Sequence, residues 1–485
     1  MSRRVMSIFT KKYWFEVEMC RSVRGLIIDF CHYFLSLLKS NFVAVGARDQ
    51  KRNFLTLVFF SCVFTVNANA QIINQVFPSE LPGYSADTGG SVSLREILSR
   101  SHVGIPIGAY ILRPSASQGF NYNTNILGAP NTAGAEFDTA ASLGVNSNWS
   151  RHAIGASVSV ANTAYPTLSA ANYTDWSASA GGSVNLGRDV ASLGYSHQVK
   201  HLTATDLGNF GIGYPVPYAA DDVRLNYRIN WTRFALIPSA SYDNFSFGNS
   251  EGTLPTAARD TSALGHQLET QMLRGRFEVS KGNAIVAALR SSQAQFVTRP
   301  DYLPGDYISG GGFVGVDLRA DPVLQYRLLA GGETRHFTRG NGHSITTPTA
   351  EADIVWMPDK MNTVTLIGQR GLFDPTSPFS RNQVMSTVSV LWDRELRKDL
   401  IFHGSIGLAR TDSHASTEGV QTREQTQSTF RGAVDWLFRR DLKLTLKYSH
   451  VSSYSKHGVA SVLENTNSKS TFTGNTIGLT IAFAR

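Results

Sequence analysis

From Ile107 to the end of the chain, apolar and polar residues alternate in segments of about 10 to 16 residues. Alternation with a period of two predicts β-strands, because successive side chains of a strand point to opposite faces. Eight short, charged connections such as Arg188-Asp189 alternate with nine long connections rich in Gly, Ser, Thr, Asn and Pro. Seventeen connections join eighteen strands, and this pattern predicts that sequence neighbours pair in antiparallel fashion.

One segment illustrates the two faces. Along residues 223–231, Val223, Leu225 and three further apolar residues fall on one face, whereas Arg224, Asn226 and the other polar residues fall on the opposite face. In a soluble sandwich the apolar face would be a core. In a barrel this wide the apolar face must meet lipid and the polar face must line the lumen.

Tryptophan placement separates these two architectures. Five of the seven tryptophans lie within a few residues before a short charged turn, namely Trp149, Trp231, Trp356, Trp392 and Trp436. An aromatic girdle at one membrane interface predicts this placement, and a sandwich does not require it. We therefore predict an all-β fold, a transmembrane antiparallel up-and-down β-barrel of about 18 strands, with 16 to 18 compatible with the pattern. An even strand number puts both termini on the short-turn, periplasmic side.

The N-terminal region predicts an export signal. A basic start at Lys51, a 13-residue apolar run and a final Ala-x-Ala predict a signal peptide at 51–70, cleaved between Ala70 and Gln71. Residues 1–50 precede it as an extension, which reflects either a mis-assigned translation start or a genuine long basic region. Residues 71–106 are expected to form a periplasmic leader with a short helix, and residues 107–485 the barrel.

Charge and cysteine usage exclude several classes of protein. Residues 1–70 carry 10 of the 45 Lys and Arg and 4 of the 37 Asp and Glu, which leaves a net charge of +2 on the rest. A nearly neutral body argues against nucleic-acid binding. All three cysteines also lie before residue 71, so the body has no disulfide, thiolate metal site or cysteine nucleophile.

Several short motifs carry a family resemblance. They comprise residues 104–126, residues 356–375 with Trp356, Gln369-Arg370 and Asp374-Pro375, and Arg431-Gly432-Ala433 followed by residues 442–449. These segments resemble the second putative β-barrel porin family of Gram-negative outer membranes. The resemblance implies an outer-membrane barrel with a transport role, which includes passage of extracellular polysaccharide, and it transfers no catalytic residue.

The polar face holds the candidate functional residues. Strand phase places these cations in the lumen: Arg224, Arg228, Arg274, Arg276, Arg319, Arg327, Arg335, Arg431, Lys443 and Lys447, together with the acids Glu278, Asp317, Glu333 and Asp435. An excess of guanidinium groups would select anions or acidic sugars. Alternatively, the cations pair with the acids and brace the wall.

These observations predict a non-enzymatic channel in the Gram-negative outer membrane that passes small polar solutes or an exported polysaccharide. The alternatives are a structural or adhesive barrel with a closed lumen and partner-binding loops, or a barrel enzyme. The string Gly248-Asn249-Ser250-Glu251-Gly252 has Gly-x-Ser-x-Gly spacing, but it falls where a predicted strand runs into a long loop and not in a strand-to-helix elbow. No His-Glu-x-x-His motif occurs, and no cofactor or metal site is predicted. Expected partners are outer-membrane lipid, the barrel-assembly machinery acting on the C-terminal strand, and polysaccharide-export proteins.

Overall fold

The computed structural model describes residues 104–128, 132–203, 214–248, 261–297, 305–319, 321–338, 344–376, 380–414, 423–456 and 470–485. The predicted extension, signal peptide, cleavage site and leader helix lie outside the described residues. Within the described ranges, no helix is long and apolar enough to cross a membrane.

Nearly all of the described chain is β-structure. The strands are β1 (Ile105–Ile107), β2 (Tyr110–Asn123), β3 (Gly134–Ser147), β4 (His152–Ala164), β5 (Tyr173–Leu186), β6 (Asp189–Leu202), β7 (Val216–Asn230), β8 (Phe234–Phe247), β9 (His266–Ser280), β10 (Asn283–Phe296), β11 (Tyr307–Leu318), β12 (Leu324–Phe337), β13 (Ser344–Trp356), β14 (Asn362–Phe373), β15 (Asn382–Arg397), β16 (Leu400–His414), β17 (Arg423–Trp436), β18 (Leu442–Lys456) and β19 (Ser470–Ala484). Two short 3₁₀ turns, Ser169–Ala171 and Ser262–Leu264, lie in connections.

Strands β2 to β19 form a closed antiparallel barrel of eighteen strands. Each pairs with its sequence neighbours, and β19 closes the ring on β2 through pairs from Thr476↔Asn123 to Ala484↔Ser115. The predicted strand number, order and antiparallel pairing are confirmed. With about 4.8 Å between strands and a tilt near 42°, the ring measures about 37 Å between opposite backbones.

The first strand begins later than the sequence pattern predicts. The alternation starts it at Ile107, but the barrel strand begins at Tyr110 because the chain reverses at Gly108, whose φ of +58° is in the left-handed region. Residues Ile105–Ile107 fold back and pair with Tyr110–Leu112 as the short strand β1.

Local chemistry explains the short turns. Gly187 and Gly282 adopt φ of +94° and +81° in the β5–β6 and β9–β10 hairpins, which places a glycine where tight hairpins require it. In the β11–β12 and β13–β14 turns, Asp321 and Asp359 each accept two backbone N–H hydrogen bonds from the residues that open the next strand. The charged turn residues therefore satisfy the backbone where each hairpin reverses.

Candidate pore lining

The two faces of the wall have opposite polarity. On β7, Val223 and Leu225 are 39% and 51% exposed on the outer face, whereas Asp222 is buried on the inner face beside Arg224. The same phase holds around the ring. The structure places all fourteen predicted lumen residues on the inner face: Arg224, Arg228, Arg274, Arg276, Glu278, Asp317, Arg319, Glu333, Arg327, Arg335, Arg431, Asp435, Lys443 and Lys447.

Most of these cations have a carboxylate partner. Asp317 on β11 accepts from Arg276 at 2.6 Å and from Arg319 at 2.7 Å, so one acid serves two arginines. Arg224 lies 2.8 Å from Asp222, and Arg327 pairs with Asp353. This pairing favours the alternative in which the charges brace the wall over one in which a free guanidinium excess lines the pore.

Glycines let some pairs bridge three strands. Arg290 on β10 and Glu333 on β12 meet at 2.5 Å across Gly311 of β11, which pairs with both. Lys447 and Asn121 likewise flank Gly478 of β19 at the closing seam, and Lys447 reaches Asp138 of β3 at 3.5 Å. A side chain at either glycine would stand where these polar groups cross.

A row of charge crosses four strands near the short-turn end. His403 on β16 lies 2.8 Å from Asp393 on β15 and 3.6 Å from Asp435 on β17, and Lys443 on β18 contacts Asp435 at 2.5 Å. Thr445 also donates to Asp435 at 2.7 Å. Lys443 therefore neutralises Asp435 directly, and His403 lies between the two carboxylates.

Two of the predicted arginines, Arg228 and Arg274, contact neutral groups. Arg228 donates to the amide oxygen of Asn230 at 3.0 Å and is exposed. Arg274 contacts the sulfur of Met272 at 3.8 Å. These two guanidiniums are the candidates for contact with a passing anion.

The inner wall of β4 and β5 is lined by hydroxyl groups. Ser157 and Ser159 pair with Ser179 and Ser177 at 2.8 Å each. A similar pair, Ser115 with Ser142, lies at 2.6 Å between β2 and β3. Small hydroxyl side chains widen this side of the lumen and offer both donors and acceptors.

A buried cluster occupies the loop end of the lumen, and we call its residues Arg335, Tyr307, Asp374, Asn382 and His266 the mouth cluster. The Arg335 guanidinium stacks 3.7 Å from the Tyr307 ring centroid and donates to Asp374 at 3.1 Å and Asn382 at 2.9 Å. Tyr307 donates to Asp374 at 2.7 Å, and His266 lies 3.5 Å from it. Arg335 is only 3% exposed. Strand phase predicted Arg335, but not its partners.

Asp374 is the centre of this cluster. Burial raises the pKa of a carboxyl group, but the charge of Arg335, the adjacent His266 and the hydrogen bond from Tyr307 outweigh it and hold the pKa of Asp374 below its ordinary value. The carboxylate is therefore ionised at neutral pH and serves as the counter-ion of a buried guanidinium.

The mouth cluster forms because the tip of the β14–β15 hairpin bends inward. Pairing between β13 and β14 ends at Ala350↔Arg370, although β14 continues to Phe373 and still pairs with β15 at Gln383. Asp374 follows directly and reaches His266 on β9, five strands away along the wall. The hairpin tip has thus left the ring and lies over the inner face of β9 to β12.

The predicted girdle tryptophans lie on the outer surface at the short-turn end. Trp149, Trp231, Trp356 and Trp436 are 44% to 52% exposed. Trp392 is half-buried, packs edge-on against Phe402 and donates its indole N–H to Asn362.

Among the residues that the structure describes, no three His, Cys, Asp or Glu side chains converge as metal ligands do. His266 and His403 face carboxylates in the lumen rather than each other.

Comparison with protein families matches residues 101–470 to the family described as putative beta-barrel porin 2. Among solved structures, the outer membrane protein OpdK of Pseudomonas aeruginosa is 11% identical, with 77% of this chain and 98% of that chain covered and a TM-score of 0.42. OccAB3 of Acinetobacter baumannii is 9% identical over 78% and 100%, also at 0.42. The siderophore receptor PirA of Acinetobacter baumannii is 8% identical over 77% and 80%, at 0.42. No curated protein matches the chain.

Proposed function

Because the chain belongs to the putative beta-barrel porin 2 family, a family of porin-like outer-membrane barrels, we propose that it is a channel for small polar solutes. The observation that carries this proposal is the closed ring of eighteen strands with a polar inner face and an exposed apolar outer face. Barrels of 16 to 18 strands leave room for an aqueous channel.

The charge pairs of the inner face support weak ion selectivity. A guanidinium whose charge is neutralised by an adjacent carboxylate attracts a passing anion less than an unpaired one does. Arg228 and Arg274, which contact Asn230 and Met272, supply the remaining basic character. The proposed channel therefore prefers anions slightly.

The serine wall of β4 and β5 supports uncharged, hydroxylated solutes as the cargo. Hydroxyl groups that already pair with each other can exchange partners with sugar hydroxyls at little cost, because each is both donor and acceptor. Small sugars are accordingly the proposed cargo, and an exported polysaccharide is its longer form. Polysaccharide-export proteins are the partners expected in that case.

The mouth cluster favours a second candidate, a structural or adhesive barrel with a closed lumen. A buried Arg335 held by Tyr307, Asp374 and Asn382 fixes the inward hairpin tip, and such packing can block passage. Within the described ranges, no comparable cluster supports a barrel enzyme.

We further propose that the C-terminal strand β19 directs insertion. Ile477, Leu479 and Ile481 alternate on its outer face, which is 45% to 55% exposed at these residues, and the strand closes the ring on β2. Both strands meet at the short-turn end, the proposed periplasmic side, where the assembly machinery would act.

Single-channel recording from the refolded chain in planar bilayers tests the channel. We expect steady conductance, a small anion preference in a salt gradient, and loss of that preference in Arg228→Ala/Arg274→Ala. The matched control is Arg188→Ala, which removes a turn arginine instead. A folded barrel that never conducts, and that also stays silent as Asp374→Asn, would support the closed barrel and refute the channel.

A further inference from the structure

The outward side chains of β9 change from polar to apolar between Gln271 and Leu273. Toward the loops it exposes Gln267, Glu269 and Gln271, whereas toward the short turn it exposes Leu273 and Phe277, at 42% and 47%. Three consecutive outward polar side chains suit water or headgroups, because the lipid-facing band of an outer-membrane barrel is apolar.

The neighbouring strands change at a corresponding position. We follow each strand from its loop end toward its short turn. The outward side chains change from polar to apolar or aromatic between Asp221 and Val223 on β7, between Asn244 and Tyr242 on β8, and between Ser291 and Leu289 on β10. On β10, Gln293 and Gln295 continue the exposed polar surface toward the loop. A single boundary therefore crosses all four strands.

The boundary is flat with respect to a membrane. Val223, Tyr242, Glu269 and Gln293 form one row of paired residues across β7 to β10. On β7 and β8 the first apolar or aromatic residue lies in this row. On β9 and β10 it is Leu273 and Leu289, each four residues nearer the short turn than the row. A drop of four residues over three strands is about 1.3 residues per strand. That slope corresponds to a strand tilt of about 42°, within the range of membrane barrels.

A second part of the wall gives the same slope. Leu408 on β16, Phe430 on β17, Tyr448 on β18 and Ile477 on β19 are the first outward apolar or aromatic residues below Arg410, Ser428, His450 and Asn475. In the pairing row Leu408↔Ser428↔Ser452↔Thr473, the boundary again drops four residues over three strands. Both groups of strands therefore have a polar-to-apolar boundary of the same slope, and we refer to this boundary as the plane.

Aromatic side chains lie along the plane, as they do at membrane interfaces. Tyr242 and Tyr448 are 38% and 40% exposed there. Tyr195 on β6 is 45% exposed and donates to Asp221 at 2.8 Å, and Trp176 packs 5.0 Å from His197. Asp221 and His197 therefore lie at the boundary beside the aromatic side chains of Tyr195 and Trp176.

Above the plane, on the loop side, the inner face becomes apolar where the outer face becomes polar. On β7 and β8 the inner residues Val216, Tyr218, Phe245 and Phe247 form a buried apolar cluster with Leu264. On β9 to β12 the inner residues Leu268, Phe296, Tyr307 and Phe337 form another. Polar outside and apolar inside is the pattern of a sheet in water, whereas the strand parts below the plane show the reverse.

We infer that the loop-end parts of β7 to β10 and β16 to β19 stand outside the hydrocarbon core as a collar, whose outer face meets water and polar headgroups. Seven residues of β9, His266–Met272, lie above the plane, so the collar is about 17 Å high. The mouth cluster, which includes His266, lies inside this collar and not within the membrane. The inference rests on the barrel crossing a membrane, not on the passage of any solute.

The absence of cysteine from residues 71–485 makes a labelling test clean. In the full chain with Cys20, Cys31 and Cys62 changed to serine, single cysteines are placed at outward positions on either side of the plane. Gln293→Cys and Gln271→Cys probe the collar, and Leu289→Cys and Leu273→Cys are their partners on the same strands. Each variant is reconstituted in phosphatidylcholine nanodiscs and treated with a charged, membrane-impermeant maleimide.

We expect the two collar cysteines to react within threefold of the rate at Lys360→Cys in an exposed turn, and the two lower cysteines at least 100-fold more slowly. Collar cysteines as slow as the lower ones would place them in hydrocarbon and overturn the collar. Fast reaction at all four positions would show that the barrel does not span the disc, which overturns the collar and the proposed channel together. A barrel that shows the expected labelling but does not conduct loses only the channel.

Discussion

The closing seam of the barrel depends on the absence of a side chain at Gly478. A Cβ at this position would lie 1.8 Å from Oδ1 and 2.8 Å from Cγ of Asn121, and 3.0 Å from Cε of Lys447. Asn121 is fully buried, and its amide donates to Glu136 at 2.8 Å and to Asp138 at 2.6 Å. Gly478→Ala must therefore displace the residue that ties β2 to β3.

The cost follows from this geometry. Ordinary contacts begin at 3.4 Å, so Asn121 has to retreat by about 1.6 Å, which breaks at least one of its two hydrogen bonds to a carboxylate. Overpacking costs about 1 to 3 kcal/mol, and a hydrogen bond to a charged group is worth about 1.5 to 3 kcal/mol. We expect Gly478→Ala to lower the free energy of unfolding by about 4 kcal/mol.

Urea unfolding in lipid vesicles, followed by tryptophan fluorescence and extrapolated linearly to water, measures this change. Gly432→Ala is the matched control, because it adds the same methyl group to a barrel strand where nothing lies within 4 Å. That control should be neutral or stabilising by up to about 1 kcal/mol, since alanine restricts the unfolded chain.

A double-mutant cycle isolates the contact. Asn121→Ala removes the clashing amide at the expense of its own hydrogen bonds, so Asn121→Ala/Gly478→Ala should be nearly as stable as Asn121→Ala alone. The expected coupling is at least about 2 kcal/mol. Equal stabilities for Gly478→Ala and Gly432→Ala, or additive effects in the cycle, would refute the reasoning.

Three further predictions concern charge and membrane position. Asp317→Asn should shift the reversal potential toward anion selectivity, because two arginines lose their carboxylate. Asp359→Asn in an exposed turn should not, and equal shifts would argue against the pairing. Asp374→Asn should cost about 3 kcal/mol in urea unfolding at pH 7, because it leaves a buried guanidinium unpaired. Since the folded-state pKa of Asp374 is lowered, this difference should persist above about pH 4 and shrink as pH falls toward that pKa; a pH-independent difference would contradict it. The fluorescence of Trp436 is the difference between the parent protein and Trp436→Phe. Lipids brominated near the headgroup should quench it more than lipids brominated at mid-chain, and the opposite order would remove Trp436 from the girdle.

Much of the barrel could be predicted from the amino-acid sequence alone. Strand phase is all-or-none: in Val223-Arg224-Leu225, a shift of one residue would turn Arg224 toward lipid and two apolar residues toward water. The alternation of short and long connections then gives strand number and pairing, because consecutive antiparallel strands are neighbours. The phase also indicates which side chains face the lumen, without their partners.

The partners depend on distances that residue order does not contain. Arg276 meets Asp317 two strands away, and Arg290 meets Glu333 across Gly311, because wall curvature and a missing side chain bring their ends together. No periodic signal marks Asp374 as the counter-ion of Arg335, since the hairpin tip reaches it only by leaving the ring.

The sequence by itself therefore determined the barrel, its strand count and the two faces of each strand, since these follow from a period of two and from the length of each connection. The tertiary structure alone decided which charges neutralise each other, where the mouth narrows and at what level the outer face leaves the lipid. Those features arise from strand tilt, curvature and side-chain reach, which set contacts between residues far apart in the chain and leave no local pattern.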